Sequence, residues 1–139
     1  ASGVLLIAGI LSDDQLETMI KRAQKHHMFV LVEVFNKEEL EQSISVISKL
    51  SNHLRSIMLG VNCRDLKSLE VNFACFGYLA EALPKDLACV AESGINVPSD
   101  IRKIVNWGYK GALIGTTLMQ SNNPMQTLLE LRQVAKTAQ

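Results

Sequence analysis

The chain has 139 residues, of which 47% are hydrophobic, and fourteen basic side chains balance fourteen acidic ones. That composition suits a single soluble domain, and the zero formal charge supplies no field favouring nucleic acid or an anionic membrane, although a local anion site stays compatible with it. The opening apolar run, Val4 to Ala8, is far short of the roughly 20 residues that span a bilayer, and it lacks the basic flank of a signal peptide.

Taken in order, five short apolar runs read as strands: Val4 to Ala8, Phe29 to Val34, Ile57 to Val61, Leu87 to Ala91, and Ala112 to Ile114. Each is nearly continuous rather than alternating, the pattern of parallel strands covered on both faces. Helical patterns separate them. Ser12 with Gln15 has the form of a capping box, followed by an apolar stripe of Leu16, Met19, Ile20 and Ala23. Asn36 caps a second helix with Glu39 three residues on, and Leu40, Ile44 and Ile47 form its inner face. Phe73, Phe76, Leu79 and Ala80 mark a third, ending before Pro84. Pro98 opens a fourth, with Ile101, Ile104 and Val105 facing inward and Gly108 just past its end. Asn123-Pro124 starts a last helix through Leu128, Leu129 and Val134.

The predicted order is five βα units in one domain, residues 1–139, with parallel strands and right-handed crossovers. Periodicity alone leaves two architectures open, a doubly wound sheet or part of a closed barrel. In both, chemistry gathers at the C-terminal ends of the strands.

The candidate site residues therefore lie just after the apolar runs. Glu33, within Leu31-Val32-Glu33-Val34, is a carboxylate inside an apolar strand, costly unless paired or used. Asn62 stands where the third strand opens into Cys63-Arg64-Asp65-Leu66, and Arg64 and Asp65 could simply brace that loop. The fourth strand ends in Glu92-Ser93-Gly94, where a glycine lets the backbone approach a ligand closely. Gly115 and Thr116 precede a short helical pattern whose N–H groups suit an anion, and barrel enzymes commonly hold phosphate in the loops after their last two strands.

These motifs resemble the indole-3-glycerol-phosphate synthase family along the whole chain. Val4-Leu5-Leu6-Ile7-Ala8 looks like the family's strand 4 and Leu31-Val32-Glu33-Val34 like strand 5. Gly60-Val61-Asn62-Cys63-Arg64-Asp65-Leu66 resembles strand 6, Ala91-Glu92-Ser93-Gly94-Ile95 strand 7, and Leu113-Ile114-Gly115-Thr116-Thr117-Leu118-Met119 strand 8.

The resemblance implies a partial (β/α)₈ TIM barrel lacking its first three strands. It also implies a cytoplasmic lyase of tryptophan biosynthesis that needs no cofactor or metal. The family closes an indole ring on a carboxyphenylamino-deoxyribulose phosphate, losing CO₂ and water. On that basis Glu33 matches the catalytic glutamate. Asn62 and Glu92 match residues that hold substrate hydroxyls and assist dehydration. Ser93, Gly94, Gly115 and Thr116 match phosphate-facing positions, and Arg64 an arginine at the rim.

Departures from the family pattern are Thr116-Thr117, where Ser or Glu is usual; Cys63, where a small polar residue is common; Val97, in place of a hydroxyl helix cap; and a longer segment around Ser48 to Arg55. The family's general-acid lysine belongs to a strand upstream of Ala1, so this polypeptide alone is expected to be inactive or nearly so. Five strands leave two open edges, which implies self-association or pairing with the missing N-terminal part.

The rival readings are another phosphate-binding barrel, such as a phosphoribosylanthranilate isomerase, and a non-catalytic remnant that binds a phosphate ligand or a partner chain. Remaining features read as structural. Cys63, Cys75 and Cys89 lack metal-ligand spacing and read as reduced thiols. His26, His27 and His53 read as surface, Trp107 as packing, and the five methionines as core filler.

Overall fold

A computed structural model describes residues 1–50, 56–65 and 68–138. Its strands are β1 (Gly3–Ile7), β2 (Phe29–Val34), β3 (Ile57–Asn62), β4 (Ala88–Glu92) and β5 (Gly111–Leu113). Its helices are α1 (Asp13–Lys25), α2 (Lys37–Ser48), α3 (Ala74–Leu79), α4 (Pro98–Asn106), α5 (Thr116–Gln120) and α6 (Pro124–Thr137). The strands form one parallel sheet in the order β1-β2-β3-β4-β5.

That order decides between the two open architectures. A right-handed crossover places each connecting helix on a fixed side of the sheet. When every strand is added on the same edge, all crossovers fall on one side. A doubly wound sheet must instead reverse direction to cover both faces. Here the order never reverses, and the sheet is a partial (β/α)₈ barrel.

The core follows this one-sidedness. Leu6, Val30, Val32, Val34, Leu59, Val61, Cys89 and Ala91 point to the helices and join Leu16, Ile20, Leu40, Ile47, Phe76, Ile101, Ile104 and Leu131 in one cluster. Fully burying a single aliphatic side chain of this kind contributes about 1.5–3 kcal/mol. The opposite face carries Leu5, Phe29, Leu31, Glu33, Met58, Gly60, Asn62, Val90, Glu92 and Leu113 by strand alternation. No described helix covers it, and Leu5, Phe29 and Leu113 are each close to half exposed. Among the described residues, helices therefore cover one face of the near-continuous apolar strands rather than both.

Local signals fix the helices. Ser12 Oγ accepts the Gln15 N–H at 3.3 Å while Gln15 Oε1 accepts the Ser12 N–H at 2.9 Å, a complete capping box. Asn36 Oδ1 caps α2 through the Glu39 N–H at 2.8 Å, and Asn123 Oδ1 caps α6 through the Gln126 N–H at 3.1 Å. Phe76 packs edge-on against Phe73 and Tyr109, with ring centroids 5.2 and 5.4 Å apart, and the Tyr109 hydroxyl donates to the Phe76 carbonyl.

Several side chains lie elsewhere than their spacing predicts. Met19, Met119 and Met125 are exposed, as are Leu128 and Leu129, while Leu131 is the side chain that α6 buries. The third helix, α3, ends before Pro84 as its pattern predicts, with Ala80–Ala82 tightening into a 3₁₀ turn. Cys63 and Cys89 are buried and Cys75 half-buried, all as free thiols. His26 and His27 are exposed, and Trp107 packs on Phe73. His53 and most of the segment from Ser48 to Arg55 lie outside the described residues.

The start of α4 is half capped. Asp100 Oδ2 accepts the N–H groups of both Asn96 and Val97 at 3.1 Å, but Val97 has no side-chain oxygen to cap in return, and the Asp100 N–H is held at 2.9 Å by the Val97 backbone carbonyl. Val97 is 48% exposed, so replacing it sacrifices little burial. Val97→Ser is expected to raise stability by about 1 kcal/mol, measured by urea unfolding. An unchanged or lower midpoint would count against this account of the helix start.

Candidate active site

Two buried carboxylates meet on the uncovered face. Glu33 is level with Gly60 in the β2–β3 ladder, and Glu92 is level with Asn62 in the β3–β4 ladder. Both are about 5% exposed, at 6% and 5%. Between them, Gly60 contributes no side chain, and the Glu92 carboxylate occupies the space that a Cβ at residue 60 would fill. Glu92 Oε1 is buried without a hydrogen-bond partner among the described residues. An orphaned carboxylate oxygen is costly unless the group takes up a proton or meets a ligand.

Burial, reinforced by the charge and hydrogen bonding of Glu33, pushes the Glu92 carboxyl up to about 8 from its ordinary 4.5. The charged groups facing it are Glu33 from β2 and, along the adjoining cleft, Arg64; β5 presents only Leu113. The folded protein thus holds a proton that the unfolded chain releases above about pH 4.5. Stability is expected to be highest below that pH with respect to this group, to fall as pH rises towards 8, and to level off beyond. Glu92→Gln should flatten that descent in denaturant titrations across the same range. A wild-type profile matching the variant's would contradict the assignment.

The loops after β4 and β5 form the rest of the mouth. Glu92, Ser93, Gly94, Gly115 and Thr116 line one cleft of about 480 Å³, with Arg64 and Val71 across from them. Ser93 and Gly94 are consecutive left-handed residues, with φ of 68° and 72°. Glycine adopts this conformation freely, but for serine it costs on the order of 1–2 kcal/mol. Strain of this kind persists where surrounding structure imposes it, often at ligand sites. Gly94 also lies under Val71, so that an added Cβ would come within 2.5 Å of Val71 Cγ1.

Thr117 joins the two loops. Its hydroxyl donates to the Ile95 carbonyl at 2.7 Å and lies 3.2 Å from Asn96 Oδ1. Asn96 in turn donates to the Gly94 carbonyl. The departure at Thr116-Thr117 therefore includes the side chain that holds the start of α5 against the β4 loop. Thr117→Val, nearly equal in shape, should lower stability by about 1 kcal/mol by thermal unfolding, and Thr117→Ser should retain most of it. Equal losses in both would show that the hydroxyl is not what matters.

Arg64 and Asn62 shape the third loop. Asn62 Oδ1 accepts the Arg64 N–H at 2.9 Å, and the Arg64 guanidinium donates to the Leu69 carbonyl at 3.1 Å. An antiparallel bridge between Arg64 and Val71 folds this loop back over the mouth. Leu66, the last residue of that motif, lies outside the described residues. Asn62 lines a neighbouring cleft of about 570 Å³ that also contains Phe35, Asn36 and Cys75, and Arg64 borders both clefts. Cys63 and Cys75 are close enough for their thiols to interact, which pushes Cys63 up and Cys75 down.

The structure thus brings Glu33 and Glu92 together, and Glu92 with Ser93, Gly94, Gly115, Thr116 and Arg64. Asn62 shares their face of the sheet but opens onto the next cleft. Sequence reasoning assigned no role to Gly60 or to the Thr117 hydroxyl. The available signal for the first was a glycine inside an apolar strand, which marks a close approach. For the second there was only a hydroxyl one residue beyond a candidate phosphate loop.

Fold and mouth together define a barrel-type α/β protein with its polar residues at the C-terminal ends of parallel strands. Solved structures with the same architecture include 3-hexulose-6-phosphate synthase from Salmonella typhimurium, at TM-score 0.77 and 13% identity over 100% of this chain and 64% of that one. Thiamine phosphate pyrophosphorylase from Pyrococcus furiosus matches at TM-score 0.68 and 19% identity, over 99% of this chain and 61% of that one. At such identities the likeness concerns the fold alone. The sequence goes further: the chain belongs to the indole-3-glycerol phosphate synthase family, whose model matches residues 1–131. The indole-3-glycerol phosphate synthase of Staphylococcus aureus strain Newman is 39% identical over 132 residues, which are 95% of this chain and 48% of that protein. The chain spans about half the length of the curated relatives it matches.

Proposed function

We propose that this chain supplies the last five βα units of an indole-3-glycerol-phosphate synthase and, within a complete barrel, converts 1-(2-carboxyphenylamino)-1-deoxyribulose 5-phosphate to indole-3-glycerol phosphate with loss of CO₂ and water. The observation that carries this reading is the buried Glu33–Glu92 pair beside the linked loops at Gly94 and Gly115.

In this reading the phosphate rests against Ser93, Gly94, Gly115 and Thr116, with Arg64 at the rim. The sugar hydroxyls then extend towards Glu92 and Asn62. Glu92, protonated near neutral pH, can donate a hydrogen bond to a hydroxyl, and a departing hydroxyl needs such a proton to leave as water. Loss of CO₂ from the attacked ring carbon restores the benzene ring; Glu33 balances the positive charge that precedes it, or accepts the proton lost from the new ring's CH₂ as the hydroxyl leaves as water to complete the indole. These roles need no cofactor, and they would be carried out in the cytoplasm.

By resemblance, the general-acid lysine belongs to a strand outside these 139 residues, and acid–base catalysis is worth roughly 10²–10⁴-fold. The isolated chain is therefore proposed to be inactive or nearly so. Its open face and its edge strands β1 and β5 are proposed to pair with the N-terminal units or, without them, with another copy.

The test mixes the purified chain with a separately expressed N-terminal segment of the Staphylococcus aureus relative, covering the part that this chain does not match. Ring closure is followed by indole absorbance and oligomeric state by light scattering. The chain alone should show no turnover and a mass above the 15.3 kDa of one copy. The mixture should turn over, and Glu33→Gln or Glu92→Gln should lower its rate roughly 10²-fold or more. Full turnover by a compact monomer would refute the proposed inactivity. A folded complex with no turnover would favour a non-catalytic phosphate-binding remnant.

A further inference from the structure

We propose that Gly60 is a positioning residue, whose missing side chain seats the Glu92 carboxyl in the buried space beside Glu33. The inference deepens the proposed function and rests on it for its catalytic meaning, although the geometry stands without it.

Three observations converge on Gly60. It is level with Glu33 in the β2–β3 ladder, two residues before Asn62, whose own partner is Glu92. A side chain here would run into the Glu92 carboxylate and also approach Leu31 Cδ1 at 3.2 Å. Glu33 and Glu92 are both buried, and Glu92 Oε1 has no hydrogen-bond partner among the described residues. Two charged carboxylates brought together in such a setting repel, and a proton held between them removes the repulsion. A strand glycine otherwise weakens its strand, by entropy and by lost packing. At residue 60 the absent side chain is what gives the Glu92 carboxyl its space.

The consequence is a division of labour that neither acid would show alone. A lone exposed glutamate is charged at neutral pH and can only accept a proton. Seated over Gly60, Glu92 instead keeps one to give. Donating that proton leaves two carboxylates, and uptake from water restores the starting state.

The experiment follows the Glu92 carboxyl directly by ¹³C NMR of the glutamate-labelled chain, its signal assigned by its loss in Glu92→Gln. The wild-type signal should titrate near pH 8. In Gly60→Ala the added methyl should drive the carboxyl from its seat and lower the midpoint by roughly 1–3 units. Glu33→Gln should also lower it, by removing the like charge without changing the space at residue 60. The double variant Gly60→Ala/Glu92→Asp, followed in aspartate-labelled chain because its acid is now an aspartate and assigned against Gly60→Ala, has a shorter acid that clears the methyl and should recover part of the elevation. An ordinary wild-type midpoint, or one unmoved by Gly60→Ala, would overturn the proposal. Should Gly60→Ala fail to fold, an unmoved midpoint in Glu33→Gln would overturn it equally. None of these readouts requires turnover, so they can succeed where the ring-closure assay fails, and the reverse.

Discussion

Two carboxylic acids held close together out of water cannot both carry charge cheaply. Glu33 and Glu92 are in that position, and much of the local architecture can be traced to accommodating them. Their strands flank β3, where a glycine leaves room between them. The Ser93-Gly94 turn starts immediately beyond Glu92, so a phosphate bound there as proposed would lie one residue away from that carboxyl. A ligand whose hydroxyls follow its phosphate would then reach the acids in a fixed order.

The sheet makes this arrangement available. Sequential strand order and right-handed crossovers send every helix to one side, and the hydrophobic core forms there. The other side is left for polar residues near the strand ends, with Leu5, Leu31 and Val90 deeper along the strands. Stability and chemistry are thereby separated across a single layer of backbone. The Tyr109–Phe76–Phe73 cluster and the capped helices act on one side, and Glu33 and Glu92 on the other.

How much of this is legible in the sequence depends on the range of the interaction. Helix starts are local: Ser12 with Gln15 and Asn36 with Glu39 declare themselves within four residues, and the hydrogen bonds follow. The strand positions are legible to within about one residue because apolar runs bounded by polar segments leave little choice. The side a strand presents to the helices is not legible, since near-continuous runs lack the alternation that would reveal it. Spacing also places Met19, Leu128 and Leu129 inward, whereas α1 buries Leu16, Ile20 and Ala23, and α6 buries Leu131. Glu33 and Glu92 were legible as expensive residues at strand ends. Their contact across Gly60 was not, because it depends on strands that are distant in sequence. The Thr117 link to Ile95, 22 residues away, was hidden for the same reason.

The most direct test is a crystal structure of this chain grown near pH 7. The account predicts a Glu33 carboxyl oxygen within about 3 Å of a Glu92 carboxyl oxygen, with the Glu92 side chain lying over bare Gly60. A structure in which Glu92 turns to solvent, or in which Glu33 points among the helices, would contradict it.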